Sequence, residues 1–303
     1  MVSENIFIDA GNKDTSRPSE RPPKSNWKRE LLILVCRVLQ YPFPDKIADI
    51  FWEHFRKPQK AVFTEPQKKL IRRAKMSPIT YKNCKIVHFQ WGQSDRKVLL
   101  SHGWNSKIAD FRRMIEHLEE AGFQVEGIDM KAHGKSEGTN TALPEIIDIL
   151  KNFYQKKGPY DAVIGYSIGG LGAGLMTAEV PAEIRPQHLI MIAAPPYTTF
   201  LFKRTIKDLG FRNKVYEKVA MLLERTYGNP INHYDVRHKG ESFSSTQLTF
   251  VYDEDDQTIP FEKGLILKDH YPEANFIHTK GLGHYNVITY PPVNEQIRKI
   301  LTD

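Results

Sequence analysis

Few cysteines and the lack of a long apolar run limit what this chain can be. It has only two cysteines, Cys36 and Cys84, which excludes a disulfide framework and a cysteine-based zinc motif. Two isolated thiols are typical of a protein in a reducing compartment, so we expect a cytoplasmic location. No run of 18 or more apolar residues occurs, so we expect no membrane-spanning helix.

The longest apolar run, LLILVCRVL at Leu31–Leu39, imitates a secretion signal because Lys28 and Arg29 precede it. It differs from one in three respects: it begins late in the chain, it contains Arg37, and no small-residue cleavage site follows it. We therefore expect that the run is part of the folded protein.

Most of the chain also lacks an excess of charge of either sign. Residues 78–303 hold 27 basic and 27 acidic side chains, whereas residues 1–77 hold 16 basic and nine acidic ones. A nucleic-acid enzyme usually carries its basic groups around the working site, so we expect no nucleic-acid partner. The basic N-terminal segment leaves a peripheral contact with an anionic membrane open, beside the simpler interpretation of a solvated basic face.

Composition divides the N-terminal quarter into a tail and a helical extension. Residues 1–26 are rich in Ser, Asn, Lys and Pro, which predicts a disordered tail. Trp27–Gln40 is apolar on most sides, which predicts a buried helix. Two more helices, beginning near Asp45 and Pro66, complete a helical extension over residues 27–77.

From residue 78 onward, short apolar strands alternate with helices. This alternation predicts an α/β domain with a mostly parallel twisted sheet and helices on both faces. Residues 196–246 form a long interval with helical patterning between two predicted strands. An insertion of that length predicts a helical cap at the carboxyl edge of the sheet.

Glycines crowd around one serine in VIGYSIGGLGAG, Val163–Gly174. The segment lies between a predicted strand and a predicted helix, which is the context of the nucleophile-elbow pattern G-x-S-x-G centred on Ser167. A dinucleotide loop is disfavoured because Leu175 stands where G-x-G-x-x-G needs its third glycine. HGKS at His133–Ser136 is no phosphate loop, because Asp129 occupies the position of its first glycine.

A serine hydroxyl needs a base, and the base needs an acid that orients it. After a sheet strand, YDEDDQTIP offers Asp253, Asp255 and Asp256. The loop KGLGHYNV then offers His284 after the last strand. The chain order Ser, acid, His is the order expected for an elbow serine in an open parallel sheet.

Five segments together resemble the α/β-hydrolase-fold serine hydrolases, and in particular an uncharacterised bacterial, esterase-like branch of that family. The segments are LLSHGW (Leu99–Trp104), GIDMKAHGKSEG (Gly127–Gly138), IGYSIGG (Ile164–Gly170), YDEDDQTIP (Tyr252–Pro260) and GLGHY (Gly281–Tyr285). The resemblance implies that Ser167 is the nucleophile and His284 the general base.

The resemblance also selects among the acids. The family places its acid three residues before a Val or Ile that is followed by Pro, which points to Asp256 ahead of Ile259-Pro260. Asp253 stands where the family commonly has glycine, and Asp253 and Asp255 remain the alternatives.

The same resemblance implies an oxyanion hole built from two backbone N–H groups, those of Ile168 and Trp104. Other histidines have plainer interpretations: we expect His102 and His133 to make structural hydrogen bonds within their loops. We expect no metal and no cofactor.

Together these patterns predict a serine hydrolase that cleaves a carboxylic ester of a small molecule through an acyl-enzyme on Ser167. A thioesterase or another acyl hydrolase is the alternative within the same chemistry. A non-catalytic binding protein on the same fold is the alternative from another class. The sequence defines no oligomeric state.

Overall fold

One nine-stranded sheet dominates the structure, a computed structural model that describes residues 4–11 and 27–303. In the described residues the strands are β1 (Asn5–Asp9), β2 (Lys75–Tyr81), β3 (Cys84–Trp91), β4 (Lys97–Ser101), β5 (Gln124–Asp129), β6 (Ala162–Tyr166), β7 (His188–Ile192), β8 (Gln247–Asp253) and β9 (Asn275–Lys280). Their spatial order is β1-β9-β8-β7-β6-β4-β5-β3-β2.

The sheet is parallel from β1 to β5 in this order, and β3 runs antiparallel to both β5 and β2. The central strands are mostly apolar, and Leu99, Ile164 and Ile190 in them are fully buried. Strands become mostly apolar when helices cover both faces of the sheet. The predicted α/β-hydrolase fold class is confirmed.

The helices of the described residues occupy most of the intervals between strands. They are α1 (Trp27–Leu39), α2 (Pro44–Phe55), α3 (Glu65–Arg73), α4 (Arg112–Glu120), α5 (Leu143–Lys157), α6 (Ile168–Glu179), α7 (Thr198–Asp208), α8 (Asn213–Tyr227), α9 (Phe261–His270), α10 (Gly283–Asn286) and α11 (Pro291–Thr302). Single turns of 3₁₀ helix lie at Ile108–Phe111, Ala182–Ile184, Ile231–His233, Val236–His238 and Gly240–Phe243.

The chain forms two compact units. Of the described residues, 4–11, 58–196 and 236–303 form the sheet unit, and 27–57 and 197–235 form the helical unit. In the helical unit, aromatic rings join helices that are distant in the sequence. Trp52 of α2 stacks on Phe202 of α7 at a centroid distance of 6.2 Å, and Phe55 packs against the same ring at a tilt, at 4.6 Å. Helices predicted as a separate extension and cap thus share one core.

The boundaries of these two units differ from the predicted ones. The sequence predicted that the helical extension ends at residue 77 and that the cap ends at residue 246. Helix α3 and strand β2 belong to the sheet unit, as do residues 236–246. The second difference has a physical cause, because Val236 donates its N–H to Pro196 at 3.1 Å and its carbonyl accepts the hydroxyl of Tyr271. Phe243 also packs edge-on against Tyr271.

The prediction that residues 1–26 are disordered is wrong for residues 5–9. These residues form β1, which pairs in parallel with β9 from Asn5 opposite Phe276 to Asp9 opposite Lys280. The partner strand lies about 270 residues further along the chain, so local composition carried no sign of it. The rest of the predicted tail, residues 1–3 and 12–26, lies outside the described residues.

The predicted burial of the first helix is also wrong. Helix α1 forms over the expected residues, but Cys36 is its only buried side chain. Its exposed apolar side chains are Trp27, Leu31, Leu32, Leu34, Val35, Val38 and Leu39. Apolar residues at helical spacing predict a helix, but they do not supply a surface on which it can pack.

Candidate active site

Ser167 sits at the turn between β6 and α6, at the carboxyl end of a central strand. Its backbone has φ 54° and ψ −129°, a conformation that costs a residue with a side chain on the order of 1–3 kcal/mol. Its N–H donates to Ile192 at 2.9 Å, and its carbonyl accepts the N–H of Gly170 at 2.9 Å. The tight turn leaves the side chain half-buried at the edge of the sheet.

Glycines next to Ser167 are required by close approach. A Cβ on Gly165 would lie 2.5 Å from the Cα of Gly170, and a Cβ on Gly169 would lie 2.2 Å from the carbonyl oxygen of His102. Neither neighbour is a flexible side chain, so neither can move aside. The strand, the turn and the helix are therefore pressed together around Ser167, as the G-x-S-x-G pattern requires.

His284 and Asp256 lie next to this serine. The His284 Nε2 is 3.1 Å from the Ser167 Oγ, and the His284 Nδ1 is 2.7 Å from the Asp256 Oδ2. Because Nδ1 faces a carboxylate, it carries the proton, which leaves Nε2 free to accept one from the serine. The structure thus brings together all three side chains predicted from the sequence, although they lie far apart in the chain.

Asp256 is itself held in place by its own loop. Its side chain is buried, and its Oδ1 accepts the N–H groups of Thr258 and Ile259, both at 2.7 Å. These two bonds occupy one carboxylate oxygen and leave Oδ2 for the imidazole. A carboxylate fixed in this way can orient His284 without moving.

The two alternative acids hold the histidine loop instead of touching the histidine. The buried Asp253 accepts four hydrogen bonds, from the Thr279 hydroxyl at 2.7 Å and from the N–H groups of Leu282 (3.1 Å), Gly283 (2.8 Å) and Asp255 (3.0 Å). Asp255 accepts the N–H of Gly281 at 2.9 Å. The sequence did not reveal these roles. The one signal was that Asp253 replaces the family's usual glycine.

Tyr166, the residue before the serine, was not predicted to take part in the site. Its buried hydroxyl donates to the backbone carbonyl of His284 at 3.1 Å, and its ring lies 5.1 Å from the imidazole, centroid to centroid. Burial raises the pKa of this phenol well above its usual value, so it stays a neutral donor. Tyr166 therefore ties the serine turn to the histidine loop.

The two predicted oxyanion donors lie in different segments: Ile168 follows Ser167 directly, and Trp104 lies in the loop after β4. Ile168 is the first residue of α6, so its N–H has no carbonyl partner within that helix. Trp104 follows Gly103, whose Cβ, if present, would lie 3.1 Å from the Ser167 Cβ. The loop after β4 is thus close enough to Ser167 to present backbone N–H groups to a bound carbonyl oxygen.

His102 and His133 make structural hydrogen bonds, as predicted. His102 accepts the N–H of Met130 at 2.9 Å, and its other ring nitrogen donates to Gly103 at 2.8 Å. Burial lowers the pKa of His102 to about 4 and that of His133 to about 3, so both are neutral at pH 7. Within residues 4–11 and 27–303, no three His, Cys, Asp or Glu side chains cluster as metal ligands would.

Comparison with protein families gives a match over residues 97–263 to the model described as the alpha/beta hydrolase fold. That segment is more than half of the chain and contains the serine turn. The chain belongs to the alpha/beta hydrolase fold family. Members of one fold family catalyse many reactions, so the reaction has to be argued from the site.

Curated and solved relatives agree with this family. The chain is 30% identical over 116 residues to a putative esterase/lipase 2 of Mycoplasma genitalium, a match that spans 37% of this chain and 42% of that protein. In structure it is similar to an esterase of Pyrococcus furiosus (TM-score 0.61, 22% identity, 81% of this chain and 97% of that one). It is also similar to the thioesterase domain of the curacin biosynthetic pathway (TM-score 0.56, 14% identity, 76% and 99%).

Proposed function

We propose that this protein is a serine hydrolase that cleaves carboxylic esters through an acyl-enzyme on Ser167. The observation that carries the proposal is the chain of two contacts, Ser167 Oγ to His284 Nε2 at 3.1 Å and His284 Nδ1 to Asp256 Oδ2 at 2.7 Å. The names of the esterase relatives support the choice of an ester as substrate.

In the first half-reaction, the Ser167 Oγ attacks the ester carbonyl carbon while His284 Nε2 takes the hydroxyl proton. The negative charge that develops on the carbonyl oxygen is stabilised by the N–H groups of Ile168 and Trp104, and each such donor contributes about 2.7–4 kcal/mol to transition-state binding. The carbon–oxygen bond to the alcohol then breaks, and His284 gives the proton to the departing alkoxide.

In the second half-reaction, His284 takes a proton from water as the water oxygen attacks the acyl carbon. The bond to Ser167 breaks, the proton returns to its Oγ, and the carboxylic acid leaves. Asp256 accepts the Nδ1–H of His284 and stabilises the imidazolium that forms twice in each cycle.

A labelling experiment separates this proposal from a non-catalytic binding protein on the same fold. A fluorophosphonate probe should form a stoichiometric adduct on Ser167, detected by intact mass and peptide mapping. Ser167→Ala should abolish the adduct, whereas the exposed Ser245→Ala should label like the wild-type protein. Labelling that survives Ser167→Ala contradicts the assignment of the nucleophile.

A substrate series then separates an esterase from a thioesterase, because an activated serine can attack both carbonyls. p-Nitrophenyl esters and acyl thioesters of matched chain length should be hydrolysed with kcat/KM highest for esters. A higher kcat/KM for the thioesters at every chain length would assign the protein as a thioesterase instead.

A further inference from the structure

Helix α1 carries a continuous apolar stripe on its solvent side. The residues of this α1 stripe are Trp27, Leu31, Leu34, Val35 and Val38, spaced at i, i+4, i+7, i+8 and i+11, which places them on one helical face. Their exposed fractions run from 42% for Val35 to 67% for Trp27. An amphipathic helix of a water-facing protein shows the opposite arrangement, and contiguous exposed apolar surface marks an interaction site.

The opposite side of α1 is anchored, so the stripe is held outward. Cys36 is buried, and the Arg37 Nε donates to the carbonyl of Leu209 at 2.7 Å. Gln40, just past the helix, donates to the carbonyl of Arg37 at 2.8 Å and accepts the N–H of Arg212 at 2.7 Å. All these residues lie within the helical unit. The helix cannot roll to bury its stripe without breaking these bonds.

Basic residues accompany the stripe. Lys28 and Arg29 lie in the first turn of α1 and Arg37 in its last, against the single acid Glu30. The sequence over residues 12–29 holds six Lys and Arg and two Asp and Glu. An apolar face with Trp, flanked by Lys and Arg, is the pattern of helices that lie in the interface of an anionic bilayer.

The aromatic residues around the helix fit the same environment. Trp27 begins α1, and Tyr41 and Phe43, which follow it, are exposed by 65% and 56%. Trp and Tyr prefer the boundary between hydrocarbon and headgroups. The helix is about 20 Å long, too short for the ~30 Å hydrocarbon core. Of the helices in the described residues, none is long and apolar enough to span a bilayer.

We propose that the α1 stripe docks this protein onto the surface of an anionic lipid bilayer. The helix lies in the plane of the interface with the stripe among the upper acyl chains. Lys28 and Arg29 contact lipid phosphates and carboxylates. Each such cation strengthens binding roughly fivefold near an anionic surface.

Two other occupants fit the stripe less well. Residues 12–26, which precede the helix, contain no Leu, Ile, Val, Met, Phe, Tyr or Trp, so they offer no apolar side chain of that size to cover it. A second copy would bring the basic ends of two α1 helices together. Pairing that brings the N-terminal ends together sets Lys28 and Arg29 of one helix against those of the other, which is repulsive.

Vesicle flotation of the full chain tests the proposal. The protein should float with phosphatidylcholine vesicles that contain 30% phosphatidylserine. It should bind pure phosphatidylcholine at least about tenfold more weakly, and raising the salt concentration should reduce the difference. The Trp27 emission should shift to shorter wavelength on binding, and Trp27→Phe should remove that shift.

Matched variants assign binding to the stripe. The pair Leu34→Glu and Val38→Glu should lower the partition coefficient at least about tenfold, because it places two carboxylates among acyl chains and phosphates. The control pair Val62→Glu and Met221→Glu changes the net charge equally at residues that are 87% and 60% exposed, and it should bind nearly as the wild type does. Circular dichroism and thermal unfolding should be unchanged in both.

Three outcomes overturn the proposal. The first is a wild-type chain that does not float with the anionic vesicles, and the second is a stripe variant that binds as well as the control variant. The third is wild-type self-association in sedimentation velocity without lipid that the stripe variant abolishes. This last result would assign the stripe to a second copy of the chain.

Discussion

Replacing the buried carboxylate of Asp253 with an amide tests how the loop that carries His284 is held. The carboxylate accepts two hydrogen bonds on each oxygen, all from donors that lie on or beside that loop. An asparagine keeps one acceptor oxygen and turns the other position into a donor. With the amide nitrogen in place of Oδ1, the N–H groups of Gly283 and Asp255 lose their acceptor. With the nitrogen in place of Oδ2, the N–H of Leu282 loses its acceptor, while the Thr279 hydroxyl can turn to accept the amide N–H.

The magnitude follows from these contacts. A hydrogen bond to a charged group contributes about 1.5–3 kcal/mol, so one or two lost bonds should lower the free energy of unfolding by about 1.5–6 kcal/mol. Domains have stabilities of only about 5–15 kcal/mol, so the change is large. We expect Asp253→Asn to be strongly destabilised and to lose activity because the His284 loop shifts.

The neighbouring acids are matched controls in the same loop. Asp256→Asn keeps the oxygen that accepts Thr258 and Ile259 but turns an amide toward His284 Nδ1. The imidazole must then carry its proton on Nε2, where it cannot accept one from the serine. We expect a loss in kcat of about 10³–10⁴-fold with nearly wild-type stability. The exposed Asp255→Asn should cost about 1 kcal/mol or less.

Guanidinium unfolding and ester turnover, measured on all three variants, separate the roles. The free energy of unfolding should drop most in Asp253→Asn, and turnover should drop most, relative to stability, in Asp256→Asn. A wild-type midpoint for Asp253→Asn would refute the argument from its four hydrogen bonds. A stable Asp256→Asn with normal turnover would refute the role given to Asp256.

Three further predictions concern residues around the serine turn. Tyr166→Phe leaves the buried His284 carbonyl without its donor, so chemical unfolding should show a free energy of unfolding lower by about 1–3 kcal/mol, and turnover should be reduced. Unchanged values for both would contradict the role given to this hydrogen bond. Gly169→Ala places a Cβ 2.2 Å from the His102 carbonyl, so its melting temperature should fall sharply, and a wild-type value would disprove the close approach. His102 and His133 have folded pKa values of about 4 and about 3, below the ordinary 6.5, so their contribution to stability is complete above pH 6.5 and is lost as pH falls through those values. Each should therefore add a slope of roughly 1.4 kcal/mol per pH unit between pH 6.5 and 4, and His102→Gln should reduce the measured slope by that amount.

The site was largely predictable because its chemistry demands particular residue types at strand ends. Ser167 needs glycines around a tight turn, and this requirement leaves a visible pattern in the sequence. His284 and Asp256 follow later strands in the order that the fold imposes. Motif order and strand context were enough to locate Ser167 and His284, and the family's spacing between the acid and Ile-Pro selected Asp256. The structure brings these three side chains into contact.

What escaped prediction depends on contacts between distant segments. Asp253, Asp255 and Asp256 lie within four residues at the end of β8, and strand order alone does not show which way each carboxylate points. Only the turn after β8 decides that Asp256 faces the imidazole while Asp253 faces the loop backbone. Strand β1 escaped for a related reason, because five residues flanked by a polar tail form a strand only when β9 is beside them.

The wrong prediction for α1 has a different origin, and it bears on how the protein works. Apolar residues at helical spacing indicate a helix face that is removed from water. Burial in the protein's own core is only one way in which such a face is removed from water. In α1 the hydrogen bonds of Arg37 and Gln40 hold the polar side toward the helical unit, so the apolar side faces out. A sequence under no other constraint would place polar residues on that outer face. The Trp, Leu and Val side chains on that face, together with the neighbouring basic residues, are what we expect of a helix that docks on an anionic membrane surface, as we propose.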